Sequence, residues 1–169
     1  VMANRFKLLG SEVVKEMNRL GILVDISHVS EKVMMDVLDI SKAPLIASHS
    51  GARGVHDHTR NVPDSVLQRL KQNGGVINVV FYPSFLDERT NREENERSAK
   101  LRDQVAKLRE QYKGDQAGFV KAENALFAAN PIFIADYKRV VDHMDHIKKV
   151  AGIDHIGLGS DFDGVPFLP

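Results

Sequence analysis

Four short apolar stretches, each bounded by turn-forming residues, recur along the chain. They are residues 22–27 (ILVDIS), 44–48 (PLIAS), 75–81 (GVINVVF) and 155–160 (HIGLGS). Short runs that are mostly rich in Ile and Val are typical of buried strands rather than helices. The pattern therefore predicts four strands.

Helical periodicity fills most of the intervals between these stretches. The segments with apolar residues three and four positions apart are 11–20, 30–38, 64–71 and 137–150. Gly21 is expected to end the first helix, Ser30 to cap the second, and Pro63 to fix the start of the third. Alternating helices and strands predict an α/β fold with a parallel sheet and right-handed crossovers.

Two of the predicted helices have well-defined apolar stripes. The inward face of the third helix is expected to consist of Val66, Leu67 and Leu70. The stripe of the fourth helix is expected to consist of Val140, Val141, Met144, Ile147 and Val150. These stripes predict the sides of the helices that pack on the sheet.

A long charged segment separates the third and fourth predicted strands. Residues 87–113 are densely charged, and their apolar positions, at helical spacing, are Leu101, Val105, Leu108 and Tyr112. This pattern predicts an exposed amphipathic helix with a narrow apolar seam. A solvated surface helix is the simplest interpretation, and a lid or a subunit contact in a homodimer is the alternative.

Composition narrows the classes of protein to consider. The chain has 169 residues, 43% hydrophobic, with 23 basic and 23 acidic residues and no cysteine. This length suits one domain with its own core. The neutral charge argues against a nucleic-acid partner, and no apolar run reaches the ~20 residues of a membrane span. The first ten residues lack the apolar region of a signal peptide, and the compartment stays open.

Histidine and aspartate residues follow three of the predicted strands. His28 follows the first strand, His49 ends the second, and Asp161 follows the fourth. In parallel α/β sheets these carboxyl ends meet at one edge, where sites are built. Alternation places the three residues on the inward faces, and two imidazoles with a carboxylate suit a hydrolytic zinc. The alternative is a pair of ordinary structural histidines.

Other residues near these positions receive different predictions. Gly157 and Gly159 of the fourth strand are expected to leave room for a substrate. Alternation turns Asp25 and Asp163 away from the metal position, so we expect them to orient neighbours or cap helices.

Two further groups resemble metal-binding pairs but lie on unsuitable elements. His56 and His58 belong to a loop, which favours a contribution to the shape of the substrate site over ligation. His143 and Asp145 lie inside the fourth predicted helix, so a surface or helix-end role is expected for them.

Three segments together resemble the renal (membrane) dipeptidase family, the M19 metallopeptidases. They read ILVDISHVS, PLIASHSGARGVHDHTRNVPD and HIKKVAGIDHIGLGSDFDGV. The resemblance runs from about Gly21 to the C-terminus, apart from an inserted region at 84–131. The combination of SHS, RNVPD and GSDFDG is specific.

The resemblance implies a fold. It predicts that residues 1–169 form a partial domain, the C-terminal half of a (β/α)₈ TIM-type barrel of the metal-dependent hydrolase kind. A complete barrel of this kind needs ~250 residues, so about four βα units with a charged helical insertion are expected here.

The resemblance also implies site residues, with two zinc ions in the complete enzyme. His28 and His49 match the histidine ligands of the second zinc, and Asp161 matches the general acid/base beside the metal-bound water. Arg60 matches the arginine that binds the dipeptide carboxylate, a task that suits its bidentate fork. Phe85 falls where a pocket aromatic, often Tyr, is found.

The implied reaction is hydrolysis of a dipeptide by a metal-activated water. The first-strand His-x-Asp ligands and the glutamate that bridges the two zinc ions have no counterpart in this sequence, so only a partial metal site is expected. Two alternatives remain. One is another amidohydrolase-type reaction, on an N-acyl amino acid or a lactone, and the other is a non-catalytic segment.

Overall fold

The computed structural model describes the backbone of residues 2–169 and the side chains from Leu9 onward, and Val1, the first residue of the predicted domain, lies outside it. The helices are α1 (Met2–Leu20), α2 (Glu31–Ile40), α3 (Asp64–Asn73), α4 (Pro83–Leu86), α5 (Glu88–Gln111), α6 (Gln116–Ala128) and α7 (Lys138–Val150). The strands are β1 (Ile46–Ser50), β2 (Val76–Val79) and β3 (Ile156–Leu158).

The three strands form one parallel sheet in the order β1-β2-β3. Ile77 of β2 lies opposite Ala47 of β1 on one side and Ile156 of β3 on the other. The predicted parallel α/β arrangement is therefore confirmed for the second, third and fourth apolar stretches. Because the strands are parallel, their carboxyl ends lie along a single edge.

The first apolar stretch is not a regular strand, and that prediction is wrong in this respect. Residues 22–27 run beside β1 through a single parallel bridge between Asp25 and Ile46. Ile46 accepts a hydrogen bond from the Ile26 amide at 2.8 Å. The ladder goes no further because the Asp25 carboxylate accepts the Ser48 amide at 3.0 Å, which the next bond of the ladder would use. The same carboxylate also accepts the Ser27 amide at 2.9 Å.

Local sequence signals set the ends of the helices as predicted. The Ser30 side chain accepts the amide of Val33 and so caps α2. Helix α1 ends at Leu20, and the next residue, Gly21, has a φ of 71° that favours glycine. Helix α3 begins directly after Pro63.

The core lies between the sheet and the helices α2, α3 and α7. On α3, Val66, Leu67 and Leu70 are fully buried, as predicted. Burial of side chains of this size contributes about 1.5–3 kcal/mol each. The stripe predicted for α7 is wrong at Val141, which is 47% exposed, because His143 takes the inward position instead.

The charged segment forms the long helix α5, which packs against α6. Leu101 is buried and the other members of the predicted seam are partly buried, so the narrow apolar seam is confirmed. The Asp87 side chain caps α5 and accepts a hydrogen bond from Arg139 Nε at 3.0 Å, which fixes the base of α5 to α7. Within residues 2–169, no helix is both long enough and apolar enough to cross a membrane.

Candidate metal centre and substrate site

Four side chains from separate parts of the chain meet at the carboxyl edge of the sheet. The Nε2 atoms of His28 and His49 lie 2.7 Å apart. The Oδ2 atom of Asp161 lies 3.9 Å from Nε2 of His49, and Nη2 of Arg60 lies 3.0 Å from Nε2 of His28. The structure thus brings together four of the five residues singled out from the sequence, and Phe85 lies beside them.

His28 and Asp161 share an unusual backbone conformation. Their φ angles are 65° and 57°, in the left-handed region that residues with a Cβ rarely adopt. Each residue follows a segment that runs along the sheet, so the left-handed turn redirects its side chain across the sheet edge. Such strained positions persist where the surrounding structure fixes them, and they are concentrated at functional sites.

His49 owes its orientation to an irregularity in β1. The register between β1 and β2 shifts between Ala47 and Ser50, so His49 lies outside the regular ladder. Its amide donates instead to the Ser27 hydroxyl at 3.1 Å. Bulges of this kind redirect side chains next to active sites. The imidazole consequently reaches the edge where His28 lies.

A carboxylate and a hydroxyl lie behind His49. The Ser48 Oγ atom is 2.5 Å from Oδ2 of Asp25 and 2.8 Å from Nδ1 of His49. Partial burial raises the pKa of Asp25, but hydrogen bonds from Ser48 and Ser27 outweigh it, and the net pKa is below the usual value. The prediction that Asp25 orients its neighbours agrees with this geometry.

The hydrogen bonds determine where the protons lie. Arg60 can only donate, so Nε2 of His28 accepts from it. An ionised Asp25 can only accept, so the single Ser48 proton points to it and Nδ1–H of His49 donates to Ser48. In the neutral form of His49, which carries a single ring proton, Nε2 is then bare as well. Two lone pairs therefore face each other with no proton between them.

This pair fits a divalent cation. Desolvation, with the neighbouring charge of Arg60, lowers the pKa of His28 and favours the neutral imidazole that binds metal. Two nitrogens on a tetrahedral zinc lie about 3.3 Å apart, so the 2.7 Å pair would open slightly around an ion. Among the side chains that the structure describes, no group of three or more His, Asp or Glu residues is placed to hold a metal.

Arg60 and aromatic rings form a wall next to the histidine pair. The Arg60 guanidinium lies 5.0 Å from the Phe85 ring centroid, and the His58 ring stacks on Phe85 at 4.7 Å. Nη1 of Arg60 is buried and has no hydrogen-bond partner within the described part of the chain. His58 thus contributes to the shape of this region, as expected from its loop position.

Two buried polar side chains anchor the loop that carries Arg60. Asn61 accepts the Gly51 amide at 2.9 Å and donates to the carbonyl oxygens of His56 and Phe85 at 3.0 and 2.6 Å. These bonds fix the loop against the residue that carries the pocket ring. Asn61 is fully buried, and its contacts satisfy its hydrogen-bonding groups.

The second anchor is His143, and the expectation of a surface or helix-end role for it is wrong. Nδ1 of His143 accepts the Ala52 amide at 2.8 Å, and Nε2 donates to the Leu86 carbonyl at 3.0 Å. The ring is fully buried. Burial lowers the pKa of His143 to about 4. The hydrogen bond to Leu86 raises this pKa, and the electrostatic effect of His56 lowers it further. Helix α7 is thereby bonded both to Ala52, at the start of the loop that carries Arg60, and to Leu86, which follows Phe85.

The expectation that Gly157 and Gly159 of the fourth predicted strand leave room for a substrate is wrong. A Cβ at Gly159 would collide with the carbonyl oxygen of Ser48, and one at Gly157 would collide with the side chain of Asn78. The space at these glycines is therefore filled by residues of β1 and β2 and is not left for a substrate. Glycine is required because the backbones approach so closely.

Sequence reasoning missed the roles of Ser48, Asn61 and His143. The only available signal was that Ser48 precedes His49 directly, and that Asn61 follows Arg60 directly. The contacts of His143 join residues 91 and 57 positions apart, and no local pattern reports them.

The fold and the site together define a class of protein. Histidine, aspartate and arginine side chains at the carboxyl edge of a parallel sheet are typical of hydrolases that use a metal-bound water. The chain belongs to the membrane dipeptidase family, peptidase family M19, whose sequence profile matches residues 4–169.

Individual relatives agree with this assignment. The chain is 41% identical over 157 residues to dipeptidase tcpJ of Claviceps purpurea, covering 93% of this chain and 27% of that protein. It is 41% identical over 160 residues to an uncharacterised dipeptidase of Schizosaccharomyces pombe, covering 95% of this chain and 29% of that one. The chain therefore spans less than a third of the length of these relatives.

Solved structures show the same similarity. The probable dipeptidase PvdM of Pseudomonas aeruginosa superposes with a TM-score of 0.67 at 31% identity, covering 90% of this chain and 42% of that one. A metallopeptidase of Rhodobacter sphaeroides, solved with a phosphinate mimic of the dipeptide L-Ala-D-Ala, gives 0.65 at 32% identity, covering 95% and 34%.

Proposed function

We propose that the protein containing this chain is a zinc-dependent dipeptidase, and that this chain supplies part of its active site. The observation that carries the proposal is the 2.7 Å distance between the Nε2 atoms of His28 and His49, with Asp161 and Arg60 on either side. In this proposal His28 and His49 are ligands of one zinc ion, and other ligands come from outside the residues described.

A zinc ion held there supplies Lewis-acid chemistry and lowers the pKa of a bound water towards neutrality. Asp161 acts on the protons of the reaction. Its carboxylate accepts a proton from the attacking water and transfers it to the departing amine nitrogen. The distance of 3.9 Å between Asp161 Oδ2 and His49 Nε2 supports this role, because a carboxylate at that distance can act beside a metal held by His49 without replacing a histidine ligand.

Arg60 and Phe85 bind the substrate in this proposal. Nη1 of Arg60 is buried and has no hydrogen-bond partner among the described residues, so a dipeptide carboxylate would supply an acceptor for it. A carboxylate matches the guanidinium fork, which explains a preference for short peptides with a free C-terminus. The Phe85 ring forms the wall beside it. The dipeptide mimic bound to the Rhodobacter relative supports this class of substrate.

We also propose that the sheet is the C-terminal half of a (β/α)₈ barrel, and that residues 1–169 form a partial barrel domain. Strands two places apart in a flat sheet are about 9.6 Å apart. Gly159, which continues β3, nevertheless lies against the carbonyl of Ser48 in β1. This close approach at the irregular end of β1 supports a curved sheet, which closure into a barrel requires. The inserted region 84–131 and its helix α5 remain candidates for a lid or a homodimer contact.

An assay of the natural protein separates this proposal from its rivals. We expect dipeptides with a free carboxylate to be hydrolysed, activity to disappear with a zinc chelator, and zinc to restore it. N-acyl amino acids and lactones serve as competing substrates. Faster turnover of either class would replace dipeptide hydrolysis with another amidohydrolase-type reaction. Zinc binding without hydrolysis of any of them would favour a non-catalytic protein.

A further inference from the structure

We propose that Asp25 and Ser48 are positioning residues that hold His49 in the tautomer with a proton on Nδ1 and a bare Nε2. The inference rests on the proposed function only for its effect on metal binding. The tautomer itself is a property of the metal-free chain. The three groups form one line, in which Asp25 Oδ2 is 2.5 Å from Ser48 Oγ and Ser48 Oγ is 2.8 Å from His49 Nδ1.

The direction of the hydrogen bonds follows from the geometry of the Asp25 carboxylate. Its Oδ1 atom accepts two backbone amides, from Ser27 at 2.9 Å and from Ser48 at 3.0 Å. Its Oδ2 atom faces only the Ser48 hydroxyl within the hydrogen bonds of the described residues. The serine proton is therefore committed to the carboxylate, and the serine oxygen is left to accept from the imidazole.

Histidine ligands of metals commonly donate their second ring N–H to a fixed acceptor, which sets the tautomer and orients the ring. Here the acceptor is a serine hydroxyl, and the carboxylate behind it determines that the hydroxyl accepts. The hydrogen bond that the Asp25 carboxylate accepts from the Ser48 amide also joins residues 22–27 to β1. The same carboxylate thus sets the position of the segment that leads to His28 and the tautomer of His49.

Asp25→Asn should reverse the direction of the hydrogen bonds from His49 through Ser48 to residue 25 and leave the positions of the three side chains unchanged. The two backbone amides require an oxygen at the Oδ1 position, so the new NH₂ group must take the Oδ2 position. That group donates to Ser48, which then turns its proton to Nδ1 of His49. The imidazole is pushed into the Nε2–H tautomer, which cannot bind a metal through Nε2.

The first experiment measures the tautomer in the metal-free chain by long-range ¹H–¹⁵N correlation spectra of the histidine rings. We expect a protonated Nδ1 on His49 in the natural sequence and a protonated Nε2 in Asp25→Asn. Ser48→Ala should give a mixture of tautomers, and Ser48→Thr, which keeps the hydroxyl, should retain the natural tautomer. Asp39→Asn on α2 removes the same charge from an exposed carboxylate and is the matched control.

The second experiment measures zinc affinity of the same variants by competition with a chelator. Loss of a partner behind a histidine ligand typically weakens metal binding about 10–100-fold. We expect a loss of this size for Asp25→Asn, a smaller one for Ser48→Ala, and none for Ser48→Thr or Asp39→Asn. A merely structural role of Asp25 would not invert a tautomer in a protein that keeps its fold.

The outcomes separate the two proposals. An Nε2–H tautomer in the natural sequence, or an unchanged tautomer and affinity in Asp25→Asn, would overturn the positioning role. An inverted tautomer in Asp25→Asn supports that role, including when the natural chain fails to bind zinc. Failure of the natural chain to bind zinc would count against the proposed metal site instead. If Asp25→Asn does not fold, the comparison of Ser48→Ala with Ser48→Thr decides in the same way.

Discussion

The Nε2 atoms of His28 and His49 lie 2.7 Å apart, although one residue follows the irregular segment 22–27 and the other lies near the end of strand β1, where its register with β2 shifts. When His49 is neutral, neither nitrogen carries the proton that would make this contact an ordinary hydrogen bond, because Arg60 donates to one and Ser48 accepts the single ring proton of the other residue. In the proposed function, this contact is the place that a zinc ion occupies. It connects the fold of this chain with the chemistry of its family.

The first prediction concerns metal content. We expect the 169-residue chain to bind zinc weakly, with fewer than two ions per chain, because the residues that the structure describes supply only the two proposed histidine ligands. His28→Ala and His49→Ala should each lower the affinity at least about 10-fold. Equilibrium dialysis with metal analysis measures both quantities. His155→Ala, in the turn before β3, is the control. Tight binding of two zinc ions by this chain would contradict a partial site.

The second prediction concerns the proton-transfer group. Asp161→Asn in the natural protein should lower kcat about 10²–10⁴-fold, because an amide cannot accept and return a proton. Zinc content should not change, since Asp161 is not proposed as a ligand. Steady-state kinetics and metal analysis of one preparation test both statements. The neighbouring exposed Asp163→Asn should behave like the natural protein. Near-normal turnover by Asp161→Asn would remove this residue from the mechanism.

The third prediction concerns substrate recognition. Arg60→Lys keeps the positive charge and loses the bidentate fork, so kcat/KM for a dipeptide should fall about 10–100-fold, the value of one or two charged hydrogen bonds. A dipeptide amide, which has no carboxylate, should be affected much less. Arg53→Lys, whose natural partner is Glu31, controls for the change of side chain. Equal losses on the acid and the amide would contradict carboxylate binding.

The fourth prediction concerns stability and pH. The pKa of His143 is lowered from 6.5 to about 4 in the folded chain, so the unfolded chain binds more protons between these values. The stabilisation is therefore complete above pH 6.5 and is lost as the pH falls towards 4. The full contribution of His143 to the free energy of unfolding is about 3 kcal/mol, since each unit of pKa difference corresponds to about 1.4 kcal/mol. Urea unfolding of the chain from pH 4 to pH 7 measures it.

His143→Phe supplies the comparison for this pH dependence. The variant leaves the Ala52 amide and the Leu86 carbonyl without partners, at a cost of about 1–3 kcal/mol each. It should therefore be less stable at neutral pH, and its free energy of unfolding should depend less on pH below 6.5. The same pH slope in His143→Phe and in the natural chain would assign the effect to other groups.

Much of the fold could be predicted because its signals are local. Runs of Ile and Val identified the positions of β1, β2 and β3, and Ser30, Gly21 and Pro63 marked helix ends through their own backbone and capping preferences. The segment 22–27 has the same apolar pattern but is not a strand. A hydrophobic pattern reports burial and does not report that a side chain such as Asp25 will take the amides of the ladder.

The sequence by itself determined the parallel α/β class, the charged helix and, through its motifs, the family. It also singled out His28, His49 and Asp161, since residues that follow parallel strands must meet at one edge, and it singled out Arg60 through the family resemblance. Tertiary structure decided the rest. The burial of His143 and the Asp25–Ser48–His49 line depend on hydrogen bonds between distant residues. Such bonds have a direction and a proton count, and only the folded positions of both partners define them.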